Sequence, residues 1–127
     1  MNVEEFREFC LSFEGVTEKM PFGKFSPRYA SILAFYVKGH LFCFIDIDDF
    51  SYVDVKSSPE KIEEWRRDYS SVGNPVNQSL RHWIKLYFDG DIPMNLITDA
   101  VSEAYEIIKA KYTPKKTGRK INNKNPR

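Results

Sequence analysis

The sequence predicts an α+β fold, a two-layer sandwich in which an antiparallel sheet of about four or more strands carries helices packed on one face. Three observations predict it. Short β-rich runs joined by tight turns read as a meander, and meander strands are antiparallel. Three other segments repeat apolar residues at helical spacing. The order is helix, three-strand meander, helix, strand, helix, which groups the helices against one sheet. At 127 residues the chain fits one domain and can bury a core without metals or disulfide staples.

Residues 2–13 read as the first helix. Asn2 can cap it and Glu5 stands three positions on, close to a capping box. Phe6, Phe9, Cys10 and Phe13 form one apolar stripe, and Gly15 is the expected stop. Residues 16–28 are a connector with turn chemistry at Pro21-Phe22-Gly23 and Ser26-Pro27. Residues 29–37 form a strand, Lys38-Gly39 turn the chain, and Leu41 to Ile47 return. Strict alternation places Leu41, Cys43, Ile45 and Ile47 on one face and Phe42, Phe44 and Asp46 on the other. Asp48-Asp49 make the next turn, and Tyr52 to Lys56 a third strand with Val53 and Val55 opposite Tyr52, Asp54 and Lys56.

Ser58-Pro59-Glu60 opens a second helix with a hydroxyl cap, a proline at the first helical position and an acid in the first turn. Its stripe is Ile62, Trp65 and Tyr69. Residues 70–80 read as a loop. Trp83 to Phe88 form the fourth strand, Asp89-Gly90-Asp91 a turn, and Pro93 begins a last helix reaching about Tyr112.

Aromatics make up 15% of the chain, which excludes disorder over most of its length. There is no apolar run long enough to span a membrane, and the start of the chain does not resemble a signal peptide. Cys10 and Cys43 match no metal or redox spacing, so they are expected to be reduced, buried thiols of a cytoplasmic protein. A monomer is expected. The net charge of +1 hides an asymmetry. Residues 1–112, the folded domain, carry 13 basic and 18 acidic residues. Residues 113–127 carry 6 basic residues and no acid. That tail reads as a disordered basic extension, either a solvated end or an electrostatic arm for a polyanion.

Several segments in order resemble the MmcQ/YjbR family. They are Cys10-Leu11 with Gly15-Val16-Thr17-Glu18; Pro21-Phe22-Gly23; Val37-Lys38-Gly39 with Leu41-Phe42; and Val55-Lys56 with Pro59-Glu60. Arg81-His82-Trp83, then Asp89-Gly90-Asp91-Ile92-Pro93, and Ser102 to Tyr105 complete the set. The resemblance spans residues 1 to about 116. It implies a fold similar to the CyaY or frataxin-like sandwich, and DNA binding through a sheet-and-loop surface described as a double wing. The sequence departs from the family before the His-Trp pair. Val76-Asn77-Gln78-Ser79-Leu80 stands where typical members carry a longer, Lys-containing run.

Catalysis is not expected. His40 and His82 pair with no nucleophile pattern, and no Walker loop, Rossmann fingerprint or nucleophile elbow occurs. No cofactor is implied. Nucleic-acid binding needs cations spaced along phosphates and flat side chains near bases. The candidates are Lys38, Lys56, Arg81, His82 and Lys85 in the domain, and Lys115, Lys116, Arg119 and Lys120 in the tail, with Lys24 and Arg28 in the connector. Lys85 shares a strand face with Trp83 and Tyr87, which fits base stacking or, equally, two core aromatics with Lys85 reaching water. The rival expectation is a protein- or metal-interaction module on the acidic first helix, through Glu4, Glu5, Glu8, Glu14 and Glu18. Those acids also simply complement a helix N-terminus and wet a surface.

Overall fold

The computed structural model describes residues 1–75 and 80–114. Helix α1 spans Val3–Leu11, β1 Thr17–Lys19, β2 Ile32–Val37, β3 His40–Asp46, β4 Tyr52–Lys56, α2 Pro59–Asp68, β5 Val72–Gly73, β6 Trp83–Tyr87 and α3 Met94–Tyr112. The strands form one antiparallel sheet in the order β1-β2-β3-β4-β6-β5. Three helices and an open antiparallel sheet make the expected α+β sandwich.

Local chemistry sets the helix starts. The capping box at α1 is complete: Glu5 N–H donates to Asn2 Oδ1 at 2.8 Å, and Asn2 N–H donates to Glu5 Oε1 at 2.9 Å. The Ser58 hydroxyl caps α2 by accepting from Lys61 N–H. The regular turns of α1 end at Leu11; the Phe13 N–H then bonds to the Cys10 carbonyl in a tighter turn, and Gly15, at φ 78°, takes the left-handed backbone that leads the chain away.

The main core lies between the sheet and the helices. Phe6 and Cys10 of α1, and Ile97, Val101, Ala104 and Ile108 of α3, pack on Leu33, Phe35, Cys43, Ile45, Val53, Val55, Ile84 and Leu86. The two buried thiols touch, with Sγ atoms 3.9 Å apart, and burial pushes the Cys43 thiol well up. A second, smaller cluster occupies the other face. There Ile32, Ala34, Phe44 and Trp83 are covered by Phe22 and Tyr29 from the β1–β2 connector and by Leu80.

Three sequence expectations are corrected. Leu41 does not share a face with Cys43 and Ile45. Phe35 pairs with Cys43 and Tyr36 with Leu41, so Phe42 is an extra residue in the β3 ladder, and this bulge sends it into the main core while Leu41 joins the second cluster. The strand read over 29–37 begins at Ile32, because Pro27 instead opens a single 3-10 turn over Pro27–Tyr29. The connector and the 70–80 loop each contain a short edge strand, β1 and β5. Neither has an alternating apolar pattern, since an edge strand of two or three residues needs only backbone pairing.

The Asp89-Gly90-Asp91 turn clasps β5 to the start of α3. Asp91 accepts from the N–H groups of Ser70 and Ser71 at 2.8 and 2.9 Å and from both their hydroxyls. A Cβ at Gly90 would collide with the Ser71 side chain. Donors from the Ser70 backbone and the Ser71 hydroxyl hold the Asp91 carboxyl far below the usual carboxylate range. A depressed folded-state value contributes stability above the unfolded value of about 4, and loses it as pH falls toward the folded value. Asp91→Asn is therefore expected to lower the melting temperature at neutral pH and to flatten its fall between about pH 4 and pH 2. Thermal melts across that range check it, and an unchanged acid slope would remove Asp91 from the account.

Candidate functional site

One end of the sheet gathers cations. Strand β2 ends and β3 begins at the Lys38-Gly39 hairpin, β4 ends at Lys56, β6 begins after Arg81-His82, and α3 ends at Tyr112. Lys56 pairs across the ladder with Trp83, and the Ser57 N–H donates to the His82 carbonyl at 2.7 Å. The Lys56 ammonium donates to the Arg81 carbonyl at 3.2 Å. The α3 terminus is tied to the same end, because the Tyr112 ring stacks on His40 at 3.4 Å with the planes 7° apart. The hairpin lies about two strand spacings, roughly 10 Å, from Lys56.

The Lys56 amine is pushed below its ordinary value, first by burial and then by the charges of Lys111 and Arg81. Among the described residues, none of Lys38, Lys56, Arg81, His82 and Lys111 forms an ion pair with a carboxylate. Two of the five also hold left-handed backbone, Lys38 at φ 55° and His82 at φ 61°. Lys38 with Gly39 at φ 79° gives the hairpin two successive positive-φ residues, the geometry for which a tight turn favours Asn-Gly. A non-glycine residue in that region costs roughly 1 kcal/mol, and such strain tends to collect at functional positions.

The opposite end is acidic. Asp46, Asp48 and Asp49 sit at the β3–β4 turn, and Asp89 and Asp91 between β6 and α3. The carboxylates of Asp54, Asp46 and Asp49 add to burial in pushing the Tyr52 hydroxyl far up. The domain is thus polar along the strands.

The other candidates are placed as follows. Lys85 lies mid-strand on the face away from the helices, with its ammonium 4.0 Å from the Tyr52 ring centroid, rather than in the end cluster. Trp83, 8% exposed, packs near Phe44 and is core, whereas Tyr87 is 36% exposed on the same face. Lys115, Lys116, Arg119 and Lys120 lie outside the described residues, as does the 76–79 part of the divergent run. Sequence reading missed Lys111 and the His40–Tyr112 stack. The signal was available: α3 was expected to end at about Tyr112, which sets Lys111 in its last turn.

Four of the five acids on and after the first helix are engaged locally. Arg7 binds Glu4 at 2.8 Å and Glu18 at 2.5 Å, Glu5 completes the cap, and Glu14 faces Lys109 at 3.9 Å. Among the described residues, no three His, Cys, Asp or Glu side chains stand close enough to share a metal ion, and no helix is long and apolar enough to cross a membrane.

The model of one protein family, YjbR, matches residues 11–107. The chain belongs to the YjbR family. No curated protein matches it. Solved structures resemble this YjbR chain in fold, among them the following two. A Deinococcus radiodurans protein with a DUF419 domain superposes with a TM-score of 0.78 at 23% identity, over 90% of this chain and 83% of that one. A Pseudomonas syringae protein gives 0.63 at 16% identity, over 85% of this YjbR chain and 99% of its own.

Proposed function

We propose that this YjbR chain binds DNA without acting on it chemically, through the phosphate backbone. The contacts are Lys38, Lys56, Arg81, His82 and Lys111 at the sheet end, with the cations of residues 113–127 as a second arm. One observation carries the reading: the fold brings five basic side chains to one end of the sheet, and among the described residues none of them makes an ion pair. A bound phosphate would offset the charges of Lys111 and Arg81, which add to burial in lowering the Lys56 amine. The strained Lys38 and His82 backbones agree with a preformed site. The helical layer, with an excess of acid in every helix, orients the complex, since it repels the polyanion.

Anisotropy titration of a labelled duplex tests the reading. Each neutralised phosphate lowers the slope of log K against log salt by about 0.9, so binding should weaken steeply as salt rises. Removing residues 113–127 should reduce that slope. Failure of the full chain to bind at low salt overturns the proposal, and an unchanged slope removes the tail from it.

A further inference from the structure

The connector between β1 and β2, residues 20–31, lies over the sheet face opposite the helices and is firmly anchored there. Phe22 packs edge-on to Phe44, with centroids 6.3 Å apart. The Phe22 carbonyl accepts from the N–H groups of Phe25 at 3.1 Å and Ser26 at 3.3 Å, and Pro27 then starts the single 3-10 turn. At Gly23 a Cβ would stand 3.2 Å from the Ala30 Cα, so the loop is closed tightly on itself. Anchoring Phe22 turns Phe25 outward. Its ring is 73% exposed, the most of any large apolar side chain among the described residues. An aromatic held in water by a tight loop contributes nothing to the core and is preorganised for a partner.

The surroundings select that partner by charge. The Lys24 ammonium stands 5.4 Å from the Phe25 centroid and the Arg28 guanidinium 5.2 Å from that of Tyr29. Further along the same face, Lys19 stands over Tyr36 at 5.3 Å and Lys85 over Tyr52 at 4.0 Å. Among the described residues, none of these four cations makes an ion pair. The helical layer on the other side carries an excess of acid in every helix. Cations interleaved with aromatics suit a chain of phosphates carrying flat bases. A duplex hides its base faces in the stack, so an exposed ring gains most from a strand whose bases are unpaired.

The geometry points to the 20–31 loop as a stacking wing of the nucleic-acid site: Phe25 stacks on an unpaired base while Lys24 and Arg28 hold the flanking phosphates, so the chain prefers single strands to duplex. This rests on the nucleic-acid reading above.

The test is anisotropy of the full chain with labelled oligothymidylate of about 12 nucleotides and with a duplex of the same length, at matched salt. The single strand should bind more tightly. Phe25→Ala should weaken single-strand binding about tenfold and leave the duplex unchanged, while Phe25→Trp retains it. The ring is exposed, and circular dichroism of both variants verifies the fold. Equal affinities with no effect of Phe25→Ala overturn the wing and leave DNA binding standing. No binding of either probe overturns both. Binding to phosphatidylserine vesicles that Phe25→Ala abolishes, with oligonucleotide binding untouched, would assign the loop to an anionic membrane surface and overturn the proposal.

Discussion

Reversing two charges at once, Arg81→Glu with Lys111→Glu, is expected to weaken DNA binding by at least about a hundredfold and to cut the salt slope by about 2. Both side chains are exposed and neither makes an ion pair among the described residues, so the substitutions leave the fold intact. They come from different elements, one ahead of β6 and one at the end of α3, and they meet only because the sheet end brings them beside Lys56. The double variant removes two phosphate contacts and adds two repulsive charges. It also replaces the cations that depress the Lys56 amine with anions, so the Lys56 value should rise, a change that NMR of the Lys56 side chain reads directly. A control pair in the helical layer, Lys61→Glu with Arg67→Glu on α2, alters net charge equally, and Lys61 and Arg67 each already face a carboxylate. Equal losses for both pairs would mean that only net charge matters and that the sheet end is no site.

The architecture was legible because its determinants are local. The Asn2–Glu5 box, the Ser58-Pro59 start and the alternation of Val53 and Val55 against Tyr52 and Lys56 each report on a few neighbouring residues. The bulge at Phe42 was not legible, since alternation cannot register an extra residue that only the partner strand defines. Strands β1 and β5 were hidden for the same reason: their hydrogen bonds depend on β2 and β6, not on their own composition. The site was half legible. Lys38, Lys56, Arg81 and His82 stand in the segments that resemble the family, and the strand order then places them at one end. Lys111 could be placed only through the His40–Tyr112 stack, a contact between residues 72 positions apart. Trp83 shows the opposite limit. A strand face alone does not say which aromatics a loop will cover, and Phe22, Tyr29 and Leu80 close over that face.

Phe6→Ala is expected to cost about 3–5 kcal/mol, a large share of the roughly 5–15 kcal/mol that holds a domain of this size. Phe6 is fully buried, and it joins three separate parts of the chain. Its ring meets Phe35 of β2 at 5.8 Å, Phe50 of the β3–β4 turn at 5.9 Å and Phe88 beyond β6 at 6.2 Å, all edge to face. Truncation loses the transfer free energy of the ring and leaves a void that three rigid aromatics cannot refill without giving up their own contacts. The site lies at the opposite end of the strands from Phe50 and Phe88, so the variant should keep its DNA affinity in whatever fraction remains folded. Urea unfolding of the wild type and the variant gives the difference, with Leu11→Ala, on the exposed side of the same helix, as a control expected within about 0.5 kcal/mol of zero. A loss below about 1 kcal/mol for Phe6→Ala would mean that α1 is dispensable to the core and that the sheet and α3 carry the fold.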